Sequence, residues 1–498
     1  MGYLQNFAAL LLGSAVLHAV IILLSFRPRV NAPRVGKRPG LLGLWRARAH
    51  FYNNGKALTK EGYDRYKSSV YWIQTGDMER LVISNRYIDE LRKYPSSYLD
   101  SKMAVVERNL GWYNGVDIIL KSTAHVDVCH TQLVQNLDIL PRVFESELEA
   151  CFRDRDIIHF YNATGLILDM VNRVTAKILV GEPLCYDAKW LQTSLETTVN
   201  TGLLCRYLQR YPAFLRPFMN YFAPARMNLD RNHSVAQNLL SKRIKGRNRG
   251  DKNKDILQWL MDTYEEKGPE ISFLTNQIQF VATAAVRSTA ASLLNTMYDL
   301  LSFPQYQTLL RQEIREAIAE HGGWSLAAVE NMKRLDSFIK ESQRMNHHIL
   351  LSFNRKVQRT IKLHDGTTLH PGTFISTPAY WGAMDPAIFP NADEFQPWRW
   401  FELRSQAERE NKNTVPYLAS SISLENLFWG YGRNACPGRF MAAAEIKLLV
   451  AWMLHHFDIT FPEGQDSRPE SLFVDERVVP DPNQDIGFQL RQDNDKTY

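Results

Sequence analysis

Cys436 stands apart from the other four cysteines of the chain. It lies in WGYGRNACPGRF, Trp429 to Phe440, surrounded by three glycines and a proline. Three alanines and the apolar run EIKLLVAWMLHHF follow, with the pattern of a helix. The sulfur therefore falls near a helix N-terminus, where the dipole and free N–H groups favour a thiolate. A thiolate is both a nucleophile and a metal ligand. Gly430, Gly432 and Gly438 remove side-chain bulk, and Pro437 suits a first helical turn. A wide, flat object lying on the loop accounts for the repeated glycines. Haem is such an object, and a cysteine thiolate is one of its known axial ligands. On these residues alone, a structural cysteine beside a helix cap and a nucleophile with a distant histidine base remain as alternatives.

Two further constellations carry chemistry. Glu341 and Arg344, in ESQR, sit three residues apart on a helical run, hence on one face. On their own such pairs are mostly surface salt bridges. About fifty residues later comes FQPWRW, with Arg399. Ile271 to Tyr298 has helical periodicity and one formally charged residue, Arg287. Its small residues, among them Ala284 and Ala285, allow close approach of another surface. A guanidinium cannot donate a proton at neutral pH and is costly to bury alone. Arg287 therefore either turns toward water or a carboxylate, or meets an anionic or oxygen-rich substrate.

The cysteine stretch resembles the signature of the cytochrome P450 family, Phe-x-x-Gly-x-Arg-x-Cys-x-Gly. Gly432, Cys436 and Gly438 match, whereas Trp429 replaces the Phe and Asn434 replaces the Arg, with Arg433 adjacent. The resemblance implies that Cys436 is the axial ligand of the haem iron. It implies that Arg433 or Asn434, Arg355 and His125 contact haem propionates. Glu341, Arg344 and Arg399 match the family's Glu-x-x-Arg and Phe-x-Pro-x-Arg residues, which fix the cysteine loop beneath the haem. Ala284-Ala285-Val286-Arg287-Ser288-Thr289 falls where the family carries Ala/Gly-Gly-x-Asp/Glu-Thr-Thr. Ser288 and Thr289 then take part in proton delivery, while Arg287 stands in place of the acid. His347, His348 and Ile349 precede Leu350 in a strand-entry segment that touches substrate in the family.

The elements that must position these residues are mostly helical, with the densest helical patterning from Pro141 to His347. Strand patterns appear in SVYWIQT and RLVISN, and an Asp-Gly hairpin signal lies in IKLHDGTTLH. The expected fold is mainly α with a small antiparallel β part, a P450-like single large domain over 41–498. Phe7 to Phe26 contains no Asp, Glu, Lys or Arg and is long enough to span a bilayer, so 1–26 reads as a membrane anchor. Basic residues follow it, which keeps the remainder in the cytoplasm, and 27–40 reads as a Pro-containing linker. The odd cysteine count and absence of CxxC argue against a disulfide framework or structural zinc. A net charge of +6 over 498 residues gives no sign of a nucleic-acid partner.

The resemblance thus implies a fungal haem-thiolate monooxygenase of secondary metabolism at the endoplasmic reticulum membrane. It uses O2 and electrons from NADPH through a separate cytochrome P450 reductase. Its substrate is a hydrophobic terpenoid, indole-terpenoid or polyketide. The apolar, aromatic segment Thr201 to Phe222 suits a pocket roof or membrane-facing lip. The altered central helix keeps open a reductase-free rearrangement or dehydration enzyme, or a non-catalytic haem protein.

Overall fold

The computed structural model describes residues 13, 29–36, 43–149, 151–152, 158–246, 253–264, 268 and 270–491. The expected anchor falls outside them apart from Gly13. Among the described residues no helix is long and apolar enough to cross a membrane.

A six-stranded sheet forms one side of the molecule. Its strands are β1 (Arg34–Val35), β2 (Val70–Gln74), β3 (Glu79–Ile83), β4 (Leu99–Asp100), β5 (Ser352–Val357) and β6 (Phe374–Thr377), in the order β1-β2-β3-β6-β5-β4. The sheet is mixed, because β1–β2 and β3–β6 run parallel. Distant parts of the chain bring these strands together, so the sequence carries no local signal of their direction. Residues 29–36, expected as linker, belong to this sheet. The Trp72 amide donates to Pro33 O and its indole to Val30 O. Arg29 and Arg34 both pair with Glu79.

Helices build the rest: α1 (Gly43–Tyr66), α2 (Ser101–Arg108), α3 (Ala163–Val180), α4 (Ala188–Gln209), α5 (Pro224–Lys245), α6 (Ile271–Ser302), α7 (Lys333–Met345) and α8 (Arg439–His456). Local chemistry sets their ends. Asp100, Asn162 and Asp187 accept amide hydrogens as N-caps of α2, α3 and α4. Gly181, at φ +57°, ends α3. The charged stretch Lys242–Asp255 contributes Lys242–Lys245 to α5 and the N-cap Asp255 to the next helix.

The central helix α6 packs against α3, α4, α5, α7 and α8. Met170, Leu293, Met297, Phe338 and Leu449 are fully buried in the shared core. Each such side chain contributes about 1.5–3 kcal/mol over leaving it in water. A second core under the sheet includes Leu81, Tyr87, Ile375 and Leu427, which fixes the entry to the cysteine loop. Two short strands, β7 (Leu472–Val474) and β8 (Arg477–Val479), form a hairpin. The hairpin meets α1 at Gly55, where a Cβ would lie 2.2 Å from Asp475 O. It meets residues 348–350 through the bonds Val478 N to His348 O and Leu350 N to Glu476 O.

Candidate active site

The cysteine loop bends at Gly430 and Gly432, whose φ values of +74° and +69° lie in the left-handed region. A short turn, Gly432–Asn434, leads to Ala435, and the Cys436 amide donates to Trp429 O at 2.7 Å. Gly438 caps α8, and Ala442 N donates back to its carbonyl. Cys436 keeps part of its surface open. Burial raises the pKa of its thiol; the backbone N–H groups of Gly438 and Arg439 and the Arg439 charge oppose that rise. A Cβ on Gly438 would meet nothing within 4 Å, so space is free beside the cysteine.

Helix α7 supports this loop on one face. Lys340 Nζ donates to Pro416 O and Leu418 O, and Asp336 accepts the Ala419 amide while pairing with Lys447. Ala419 O in turn accepts the Trp429 indole N–H at 2.7 Å. A phenylalanine at 429 could not make that last bond, which gives the departure from the motif a structural reason.

The same helix carries the ion set, next to Lys340. Arg344 donates to both Glu341 oxygens at 2.8 and 3.0 Å, and Arg399 Nε reaches Glu341 Oε1 at 3.2 Å. The Trp400 indole and the Gln396 amide complete the carboxylate shell. Arg344 also donates to Ala383 O and Ala392 O. Glu341 and Arg344 have no exposed side-chain surface and Arg399 has 8%. Every charge in this group is answered.

The cations above the loop are arranged differently. Arg355, on β5, is buried, stacks on Phe353 at 4.1 Å and donates to Asn354 O. Burial and then the neighbouring Arg433 hold its pKa down to about 10. Arg433 is exposed and donates to Tyr94 O. Neither guanidinium has an ion pair among the described residues. His125 is buried, its Nδ1 has no hydrogen-bond partner, and its ring stands edge-on to Phe280. Burial lowers its pKa. Two adjacent unpaired cations, an orphaned buried nitrogen and free space beside a cysteine fit a flat group bearing carboxylates, as haem does. Asn434 instead accepts a bond from Ser101 Oγ at 3.0 Å.

On the other side, Ala284, Arg287 and Ser288 break the buried surface of α6. They line a cavity of about 460 Å³ between α6, α4, His348–Ile349 and β8. Ser288 Oγ donates to Ala284 O at 2.7 Å. Ala285 is half-buried and Thr289 is buried. Arg287 faces Gly202 of α4, where a Cβ would lie 2.9 Å from Arg287 Nη1.

The family model described as Cytochrome P450 matches residues 159–486. The chain belongs to the cytochrome P450 family. A cytochrome P450 monooxygenase of Emericella nidulans is 32% identical, over 94% of this chain and 89% of its own length. An ent-kaurene oxidase of Gibberella fujikuroi is 29% identical over 96% of each chain. The monooxygenase janP of Penicillium janthinellum is 30% identical, over 98% of this chain and 96% of its own length. The protein is thus a P450 monooxygenase of fungal secondary-metabolic type, with haem as its expected cofactor.

Within this P450 the residues singled out from sequence gather at two places. Cys436, Arg433, Asn434 and Gly432 form the loop, and Glu341, Arg344 and Arg399 meet as an ion set. Ala284, Arg287 and Ser288 border the cavity together with His348 and Ile349. Sequence reasoning missed Arg477, which lines the same cavity from β8, and the supporting network behind it. There Glu476 pairs with Arg80 and Arg108, and Arg80 also pairs with Asp77. It missed Gly202 as well. No motif or periodicity marks any of these, because their meaning depends on which distant helix faces them.

Proposed function

We propose that this P450 hydroxylates or otherwise oxidises a hydrophobic terpenoid, indole-terpenoid or polyketide intermediate. Electrons come from NADPH through a separate reductase. Residues 1–26 anchor it in the endoplasmic reticulum membrane with the catalytic domain facing the cytosol. The observation that carries the reading is the bare loop around Cys436 set beneath two unpaired cations. The exposed Phe218, Tyr221 and Phe222, which follow α4, support a membrane-facing entrance for an apolar substrate.

Bound haem supplies oxygen activation at a thiolate-held iron. The chain's residues do the rest. Cys436 provides the thiolate, held close to the N–H groups at the start of α8. Arg355, Arg433 and His125 bind the propionates; Asn434, tied to Ser101, steadies the loop. The ion set on α7 keeps the loop in register through the polypeptide between 391 and 419. Ala284 and Ala285 leave room over the cofactor face. Ser288 and Thr289 hold hydroxyl protons near the cavity and pass them from water, since Arg287 cannot serve as the acid. Ala291, Ile349 and Val479 give the apolar wall against which the substrate body packs.

The test is the reduced, carbon-monoxide-bound absorption spectrum of the purified protein. Thiolate-ligated iron is expected in the wild type. Cys436→Ala is expected to lose it along with NADPH-dependent turnover. Unchanged pigment in that variant would overturn the assignment.

A further inference from the structure

Several buried or half-buried arginines of this fold meet a carboxylate. Arg80 meets Asp77 and Glu476, Arg344 meets Glu341, and Arg468 meets Asp299 at 2.6 Å. Arg287 does not. Among the described residues it has no hydrogen bond and no ion pair, although it projects from the middle of the central helix. Burial lowers its pKa, and the charges of Arg477 and then Arg206 lower it further, so its nearest charged neighbours share its sign. Arg477 also has no ion pair among the described residues. The cavity these two border has no Asp or Glu in its wall. Its third arginine, Arg108, is neutralised by Glu476. The remainder of the wall is amide, hydroxyl and aliphatic, with the His348 imidazole and the Cys205 thiol. Guanidiniums facing like charges across a wall without acids gain free energy when an anion meets them.

We propose that the substrate carries a carboxylate on an apolar skeleton, and that Arg287 and Arg477 bind that carboxylate at the α4 side of the cavity. This rests on reading the cavity as the substrate site of the monooxygenase. The planar fork of a guanidinium matches a carboxylate in two parallel bonds. Gly202 leaves the space in which the Arg287 fork lies, since a Cβ there would press on Nη1. Thr198, Thr201 and Asn109 offer further polar groups on the same wall. The apolar body then lies along Ala284, Ile349 and Val478, toward the open face of the central helix. A diphosphate is a poorer match. It is usually held through divalent cations, and among the described residues no cluster of His, Cys, Asp or Glu could hold a metal ion. The two arginines also select against neutral analogues, which leave both guanidiniums desolvated and unanswered.

The haem-loaded, full-length protein is titrated with a panel of acids and their methyl esters: palmitic acid, dehydroabietic acid and an indole-3-alkanoic acid. Binding is read from the displacement of the haem absorption band and from the rise in melting temperature, without turnover. At least one acid is expected to bind about tenfold or more tightly than its ester, the size of one charge-assisted pair. Arg287→Gln and Arg477→Gln are expected to lose that preference without weakening ester binding, while Arg287→Lys retains part of it. A panel in which no acid outbinds its ester overturns the proposal, as does an equal loss of acid and ester binding in the Gln variants. Tighter binding of geranylgeranyl diphosphate than of any acid would also overturn it. The carbon-monoxide spectrum of each preparation separates the two levels. A normal thiolate spectrum without acid preference defeats this inference alone, whereas its absence in the wild type defeats the underlying reading.

Discussion

The two sides of this P450 treat buried charge in opposite ways. Beneath the cysteine loop, Glu341 accepts from two arginines, an indole and a backbone amide, and Arg344 spends its remaining donors on carbonyls. Across the central helix, Arg287 and Arg477 border a cavity with no anion among the described residues, and His348 Nδ1 is buried without a partner. Both arrangements come from the same fold, the first fully buried and the second open to the cavity. The answered charges hold one backbone geometry. The unanswered ones keep their hydrogen-bonding capacity for something that is not protein. Arg355 and Arg433 belong to the second kind although they stand beside the first, which is why they point to a cofactor carrying carboxylates.

The largest effect is expected where the charges are most completely answered. Glu341→Ala leaves two buried guanidiniums without a counter-charge, a loss of about 3–5 kcal/mol. That is a large share of the stability of an ordinary domain. The variant should accumulate little folded, haem-loaded protein, measured as the thiolate-type carbon-monoxide band per total protein. A normal band with an unchanged denaturant midpoint would show that the ion set does not hold the loop.

This half of the site was legible in sequence because its parts are local. Gly430, Gly432, Cys436 and Gly438 lie within one turn and a cap, and Glu341 and Arg344 are a single helical step apart. Arg399 came from the family resemblance, since nothing in its own surroundings points to Glu341. The helical body was legible from periodicity. The struts from Lys340 and Asp336 to 416–419 were not, because their acceptors are main-chain carbonyls and amides that any sequence supplies. Residues 29–36 read as a linker on composition, yet the pairing of Arg34 and Val35 with β2 and two ion pairs with Glu79 tie them to the sheet. On the cavity side, Arg287 was conspicuous as one charge in an apolar helix. Arg477 lies in an unremarkable strand, and only the fold brings it to Arg287.

An effect spread over pH is expected from His348, which lines the cavity, and the buried His347 beside it. Burial holds His347 down to about 3 and His348 to about 4, against an ordinary value of 6.5. The unfolded chain takes up both protons as pH falls through 6.5, while the folded chain does not until about 4 and then about 3. Between those limits the unfolded state binds more protons, so stability falls on acidification. The slope is about 1.4 kcal/mol per pH unit for each ring. Denaturant midpoints at a series of pH values should decline below 6.5, and His348→Phe should remove about half of the slope. A flat profile from 6.5 to 4.5 would mean that the rings are already paired or hydrated, and that this side is less bare than the contrast requires.

The smallest stability effect, and the sharpest test of the contrast, lies at Gly202. A glycine inside α4 costs about 1 kcal/mol relative to alanine, so Gly202→Ala should leave the protein as stable or slightly more so. The added Cβ would sit 2.9 Å from Arg287 Nη1, the far end of a flexible side chain, which moves at little cost. The guanidinium then leaves the position in which it faces the cavity. Acid ligands should lose affinity several-fold while their esters bind as before, with no fall in melting temperature. Ion pairs under the cysteine loop could not show this pattern, because moving any of their members breaks a bond the fold relies on. If acid affinity survives the alanine unchanged, the glycine serves helix packing only, and the space beside Arg287 has no part in choosing the ligand.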